Sequence, residues 1–224
     1  MPTVFAARYD DSDKIPGRAY EHELGRELLC RGLRDLSGIS MTPPQAEEHI
    51  VMGLHEKPLW DDDSLHFNIS HSSGLVICAF DSRPVGADTE KIRPFSPGMP
   101  ARVLSPREKE SFDSLSLSCP DMRSELFLRY WTLKESALKH SGSGLSEDLR
   151  SYEFFIECSD RDPAQCLPGG FFPVRSSRPD LYFYQARITP DHIISLCCES
   201  CHAASEFRLI MSGWSPGGTV LSSL

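Results

Sequence analysis

Four side chains in this sequence have the types and spacing for chemistry on a phosphate. Asp88 and Glu90 stand one residue apart in "VGADTEK". In an extended strand, positions i and i+2 project to the same side, so the two carboxylates face one way and Ala87 and Thr89 the other. Paired carboxylates repel, and solvation, a shared proton or a cation relieves them. Hard oxygens on a rigid strand suit Mg²⁺, which keeps several waters and is completed by substrate phosphates. By themselves, two such residues are more often the solvated face of an edge strand. Glu135 and Lys139 lie four apart in "YWTLKESALK". An isolated pair of that kind is a surface ion pair worth about 0.3–0.5 kcal/mol. Here it sits on the most aromatic helix of the chain, with Trp131 one turn before. Such a helix can bring Glu135 as a third oxygen and Lys139 as a cation for a phosphate.

A second element is "NISHS", where His71 stands between Ser70 and Ser72 ahead of a glycine-containing turn. Hydroxyls, main-chain N–H groups and an imidazolium are all anion donors. Lys57 and Arg18, outside the acidic clusters, are candidates to join such a pocket. Together the parts suggest a polyphosphate held through Mg²⁺, with another phosphate anchored some distance away.

The elements that must position these residues follow from periodicity and turn chemistry. Residues 3–9 read as an opening strand and 18–36 as a helix with Leu24, Leu28, Leu29 and Leu33 near helical spacing and Gly38 as its stop. Strands are expected at 65–70, 75–81 and 84–91, broken by "SHSSG" and "DSRP". Ser105, Pro106 and Glu108 form a capping box that starts a helix at 106. A longer helix spans about 122–140, with Phe127, Tyr130, Trp131 and Leu138 as its apolar face and Gly142 as its stop. Strands are expected at 152–157, 181–188, 192–198 and 206–211, with a loop over 159–170. Strands adjoin strands rather than alternating with helices, which predicts an α+β protein. The division expected is 1–84 for an N-terminal α+β half, 85–212 for a C-terminal half, and 213–224 for a flexible tail.

Composition bounds the function. The chain has 224 residues and a formal net charge of −9, which argues against bulk binding to nucleic acid or anionic membrane. No apolar run is long enough to span a bilayer and the N-terminus lacks a secretory pattern, so a cytoplasmic location is expected. The 8 cysteines are expected to be reduced thiols. "CESCH", Cys198 to His202, matches the haem-attachment pattern, but no export signal accompanies it. As a zinc site it lacks a second ligand pair at suitable spacing. The favoured reading is a strand end with free thiols.

The three segments "FNISHS" (67–72), "VGADTE" (85–90) and "WTLKESALK" (131–139), in that order and spacing, resemble the signature of the 4′-phosphopantetheinyl transferases, in the larger monomeric group typified by the surfactin synthetase activator. The resemblance runs from about Lys57 to Leu145. Ala87 and Thr89 depart from the larger aliphatic residues of that family, and "CCESCH" has no counterpart in its pattern. The resemblance implies two similar α+β halves in a pseudo-twofold arrangement, with coenzyme A in the cleft between them. It implies transfer of the phosphopantetheine arm to a serine of an apo acyl or peptidyl carrier protein, releasing adenosine 3′,5′-bisphosphate, by a monomer. Asp88, Glu90 and Glu135 would hold Mg²⁺ on the diphosphate. Glu135 would deprotonate the serine and Lys139 would stabilise phosphate charge. Ser70 and His71 would hold the 3′-phosphate, helped by Lys57 and Arg18. Arg102, Arg107, Arg123 and Arg129, interleaved with glutamates, are either a carrier-docking surface or a solvated helix face. Another Mg²⁺-dependent phosphoryl or phosphodiester enzyme explains three carboxylates and a lysine equally well. A non-catalytic relative that only binds coenzyme A is a third reading, against which the intact residue set argues.

Overall fold

The computed structural model describes residues 1–10, 18–62, 64–144, 147–156, 170–215 and 218–221, with the side chains of Leu54 and of residues beyond 212 left aside. Most of the expected 159–170 loop therefore lies outside the described residues. In chain order the elements are β1 (Thr3–Arg8), α1 (Arg18–Ser37), α2 (Pro43–Glu48), β2 (Ile50–Met52), β3 (Pro58–Trp60), β4 (His66–Ser72), β5 (Leu75–Asp81) and β6 (Val85–Lys91). Then come α3 (Met99–Val103), α4 (Pro106–Ser118), α5 (Arg123–Ser141), β7 (Phe154–Phe155), β8 (Phe172–Ser176), β9 (Tyr182–Thr189), β10 (His192–Cys198), β11 (Arg208–Ser215) and β12 (Gly218–Leu221).

The strands form two five-stranded sheets, ordered β12-β11-β1-β5-β4 and β6-β10-β9-β8-β7, with β2 and β3 as a separate pair. The two large sheets pack face to face. Val4, Ala6, Leu75, Ile77 and Ala79 of the first meet Val85, Ala87, Tyr184, Ile194, Leu196 and Cys198 of the second in one buried cluster. The outer face of the first sheet, Phe5, Val76, Cys78 and Phe80, is covered by Leu24, Leu28, Leu29 and Leu33 of α1. The outer face of the second is covered by α5, whose Phe127, Tyr130, Leu133 and Leu138 pack with Phe183, Ile193 and Cys197. The order of layers is helix, sheet, sheet, helix. Strands in the middle of such a stack are buried on both faces and read as continuous apolar runs. All seven residues of β5, "LVICAFD", and all seven of β10, "HIISLCC", are buried.

The α+β expectation holds, and several boundaries differ. β4 runs through His71 and Ser72 instead of ending at 70, because Ser72 still pairs with Leu75 before the turn at Gly74, whose φ is 96°. The 152–157 strand shrinks to Phe154–Phe155. Residues between α1 and β4, where no element was expected, form α2 and the β2–β3 pair. The main correction concerns the end of the chain. β11 lies parallel to β1, with Thr3 opposite Arg208, so residues beyond 207 return to the first sheet instead of completing the second half. Strand structure also continues past 212, to Ser215 in β11 and over Gly218–Leu221 in β12, where a flexible tail was expected. A parallel pairing between positions 205 apart in the sequence carries no local signal. No described helix is long and apolar enough to cross a membrane.

Candidate active site

The site lies where the edge strand of one sheet approaches the edge strand of the other. β4 and β6 share no backbone ladder. Alternate side chains of "NISHS" bind the main chain of "VGADTEK" in its place. Ala87 N–H donates to Asn68 Oδ1 at 2.8 Å, Thr89 N–H to Ser70 Oγ at 3.3 Å, and Lys91 N–H to Ser72 Oγ at 3.1 Å. A strand presents every second residue to one side, so one face of β4 serves as a row of acceptors for the free edge of β6. The two hydroxyls also donate onward, Ser70 to Asp88 Oδ1 at 2.9 Å and Ser72 to Glu90 Oε2 at 2.8 Å.

Gly86 sets how close α5 comes. A Cβ at that position would lie 2.0 Å from the carbonyl oxygen of Ser136 and 2.4 Å from the amide nitrogen of His140. Only glycine lets the helix backbone rest on β6. A polar pin fixes its rotation: Thr132 Oγ1 meets Ser195 Oγ at 2.7 Å, and Gln185 bridges Ser195 and Arg129. The helix ends at Gly142, in left-handed backbone with φ 68°. Lys134, next to Glu135, is wholly buried and pairs with Glu108 at 2.7 Å. Glu108 also caps α4 by accepting from Ser105 N–H, and accepts from Phe154 N–H. The capping role of Glu108 was legible. Its partner was not, because Lys134 reads as one more charged residue on a helix.

Lys139 Nζ donates to Asp88 Oδ1 at 2.6 Å and to Ser70 Oγ at 2.8 Å. Glu90 sits 3.6 Å from Arg93, and burial, the largest cause, pushes its carboxyl up. Glu135 is pushed up to about 7, first by burial and then by the neighbouring charge of Asp88, with Lys139 opposing and Glu90 adding. Two extended-segment carboxylates and one helical carboxylate thus share one electrostatic environment. Two of their oxygens, Asp88 Oδ2 and Glu135 Oε1, are buried and have no hydrogen-bond partner among the described residues. Buried polar atoms left unsatisfied are uncommon and costly. Acceptor-only oxygens left this way fit a cation, and the hard donor set fits Mg²⁺.

The remaining expected residues divide between two places. Lys57 lies on the α5 side: its Nζ donates to the carbonyl of His140 at 2.8 Å, and burial lowers its pKa. A pocket of about 200 Å³ is lined by Lys57, Asn68, Glu135 and Lys139 among others. His71 points to the opposite face of β4 from Ser70. Its Nδ1 is 3.0 Å from Glu21 Oε2 of α1, and the ring is half-exposed. Arg18, the first residue of α1, is exposed one turn before Glu21. The structure therefore brings Asp88, Glu90, Glu135, Lys139, Ser70 and Lys57 toward one centre and leaves His71 and Arg18 by the start of α1.

The chain belongs to the 4′-phosphopantetheinyl transferase superfamily, whose family model matches residues 84–197, just over half of the sequence. It is 38% identical over 109 residues to a 4′-phosphopantetheinyl transferase of Bacillus subtilis, covering 49% of this chain and 47% of that one. It is 44% identical over 87 residues to the 4′-phosphopantetheinyl transferase Sfp of Bacillus subtilis (strain 168), covering 39% of this chain and 38% of Sfp. It is 31% identical to the 4′-phosphopantetheinyl transferase gsp of Aneurinibacillus migulanus over 166 residues, 73% of this chain and 65% of that relative. In the first two of these matches the chain spans less than half the length of the curated relative.

Proposed function

We propose that this protein transfers the 4′-phosphopantetheine arm of coenzyme A to a serine hydroxyl of an apo acyl or peptidyl carrier protein, with Mg²⁺, and releases adenosine 3′,5′-bisphosphate. The observation that carries this reading is the convergence of Asp88 and Glu90 from β6 with Glu135 from α5, with two buried oxygens that have no partner among the described residues. Asp88, Glu90 and Glu135 are the residues proposed to hold the ion. When bound, Mg²⁺ supplies neutralisation of charge on the diphosphate.

The chain's own residues supply the rest. In the reaction the carrier serine Oγ bonds to the phosphorus that bears the pantetheine arm. The bond from that phosphorus to the bridging oxygen breaks, and the adenosine bisphosphate leaves. The serine proton needs an acceptor, and Glu135, whose Oε1 is buried beside Asp88 without a hydrogen-bond partner among the described residues, is assigned as the base. Lys139 is proposed to turn from Asp88 to the phosphate oxygens as charge builds on the leaving group, and Lys57 to lie along the same diphosphate. His71 and Arg18 are assigned to the 3′-phosphate, and Ser70 to aligning Asp88 and Lys139 beside the diphosphate. The catalytic requirement is in-line positioning and charge neutralisation, with no covalent intermediate on the protein.

In the same reading, the two helix-backed sheets are pseudo-twofold halves of a monomer with coenzyme A between them, acting in the cytoplasm. The test is mass spectrometry of candidate apo carriers incubated with coenzyme A, Mg²⁺ and the protein. One arm added per carrier, lost by about 10²-fold or more in Asp88→Ala, is the expected result. Adenosine bisphosphate released at the same rate without any carrier would instead mark a hydrolase of the same site and overturn the proposal.

A further inference from the structure

The segment "CCESCH" is not absorbed by the site above. Its last strand residue, Cys198, faces the cluster between the two sheets, the side away from α5. It lies three residues along β10 from Ser195, which stands opposite Asp88, so about 10 Å of strand separates it from the carboxylate site. Tyr184 Oη accepts the main-chain N–H of His202 and folds the following loop back over the strand end. That fold brings His202 Nε2 to 3.1 Å from Oδ2 of Asp81, the final residue of β5 in the other sheet. One ligand atom each from Asp81, Cys198 and His202 lie within 4.8 Å of one another, with Asp81 and Cys198 buried. All three residues fall outside the stretch 84–197 matched by the family model.

We propose that Asp81, Cys198 and His202 form a second metal site, for a zinc-class divalent ion, that ties the end of β5 to the end of β10. In place of the second ligand pair that the sequence lacks, one further ligand comes from a residue 117 positions before the cysteine. The donor set is thiolate, imidazole and carboxylate, which a borderline-soft ion prefers and Mg²⁺ does not. Bonds of about 2.0–2.3 Å to a tetrahedral ion place ligand atoms about 3.3–3.8 Å apart, so the cluster closes with shifts of about 1 Å. His202, on a loop and partly exposed, can make that shift.

Surrounding contacts suit the assignment. Glu206 Oε2 accepts from Ala203 N–H at 2.6 Å and lies 3.9 Å from His202 Nδ1, from where a small rotation would give that nitrogen the carboxylate partner that metal-bound histidines use. Asp81 Oδ1 is held by Ser82 N–H at 2.8 Å and lies 3.6 Å from the Met1 amino group, which leaves Oδ2 for the ion. Burial, then Asp81, pushes the Cys198 thiol well up, so entry of the metal must displace that proton and binding weakens as pH falls. Three protein ligands leave the fourth position to water.

The test uses full-length, chelator-treated, reduced protein with Mg²⁺ kept in excess to occupy the carboxylate site, titrated with Co²⁺ and then Zn²⁺. One equivalent of Co²⁺ should give a sulfur-to-cobalt charge-transfer band and tetrahedral visible bands, both bleached by Zn²⁺. Cys198→Ser and His202→Ala should lose the sulfur band, and Cys201→Ser should keep it. Zn²⁺ should raise the melting temperature of the parent and of Cys201→Ser, but not of His202→Ala, whose partly exposed side chain can be removed without opening the core. No sulfur band in the parent, or an unchanged band in Cys198→Ser, overturns the proposal. So does a Cys198–Cys201 disulfide that persists under reduction with no cobalt bound. None of these readouts depends on transferase activity.

Discussion

Glu135→Gln should make the metal-free protein more stable at neutral pH while removing its activity. Burial and the charge of Asp88 carry the Glu135 carboxyl from 4.5 to about 7. At about 1.4 kcal/mol per pH unit, holding that group ionised in the folded chain costs about 3 kcal/mol. Some solvent still reaches the side chain, which reduces the expected gain to about 1–3 kcal/mol. The sign follows from proton binding. Between pH 4.5 and about 7 the folded protein holds a proton here that the unfolded chain has released, so stability falls as pH rises through that window. Below the window the parent pays no penalty. Above it the penalty is complete. Glutamine keeps the shape and has no proton to lose. Urea unfolding of both proteins with chelator present, from about pH 5 to about pH 8, should show a gap in favour of the variant that opens with rising pH. Mg²⁺ should then stabilise the parent and leave Glu135→Gln nearly unmoved. A variant less stable than the parent at the alkaline end, or a gap independent of pH, would refute the claim that Glu135 is a strained carboxyl facing Asp88.

Lys134→Ala leaves Glu108 charged and buried without its partner, and should cost about 3–5 kcal/mol in denaturant unfolding. The double change Lys134→Met with Glu108→Leu should recover a good part of that loss. Gly86→Ala pushes a methyl into the backbone of α5 at Ser136 and His140. It should destabilise by about 1–3 kcal/mol and lower kcat more than it raises KM, because Glu135 and Lys139 move away from Asp88 together. His71→Ala should raise the KM for coenzyme A about tenfold, as expected for losing one charge-assisted hydrogen bond. It should leave turnover of 3′-dephospho-coenzyme A unchanged, and an equal effect on both substrates would remove His71 from the 3′-phosphate.

Much of the carboxylate and lysine cluster was legible because it is local. The i,i+2 geometry of a strand puts Asp88 and Glu90 on one side whatever the rest of the chain does, and i,i+4 on a helix does the same for Glu135 and Lys139. The capping box at Ser105 and the stop at Gly142 are likewise decided within a few residues. Which face of β4 each member of "NISHS" would serve was not legible. Alternation alone says that Ser70 and His71 diverge, but only the neighbours say that one meets Asp88 and the other Glu21.

The sequence by itself determined the short-range geometry: the carboxylate pair, the helix that carries the third carboxylate, the helix ends and the α+β character. Tertiary structure decided the rest. It set the approach of α5 onto Gly86, the burial that raises Glu135, the return of β11 to the first sheet, and the meeting of Asp81 with Cys198 and His202. The physical reason is range. Backbone geometry and capping act over three or four residues, whereas desolvation and the proximity of charges depend on which distant segments the packed sheets bring within a few ångströms.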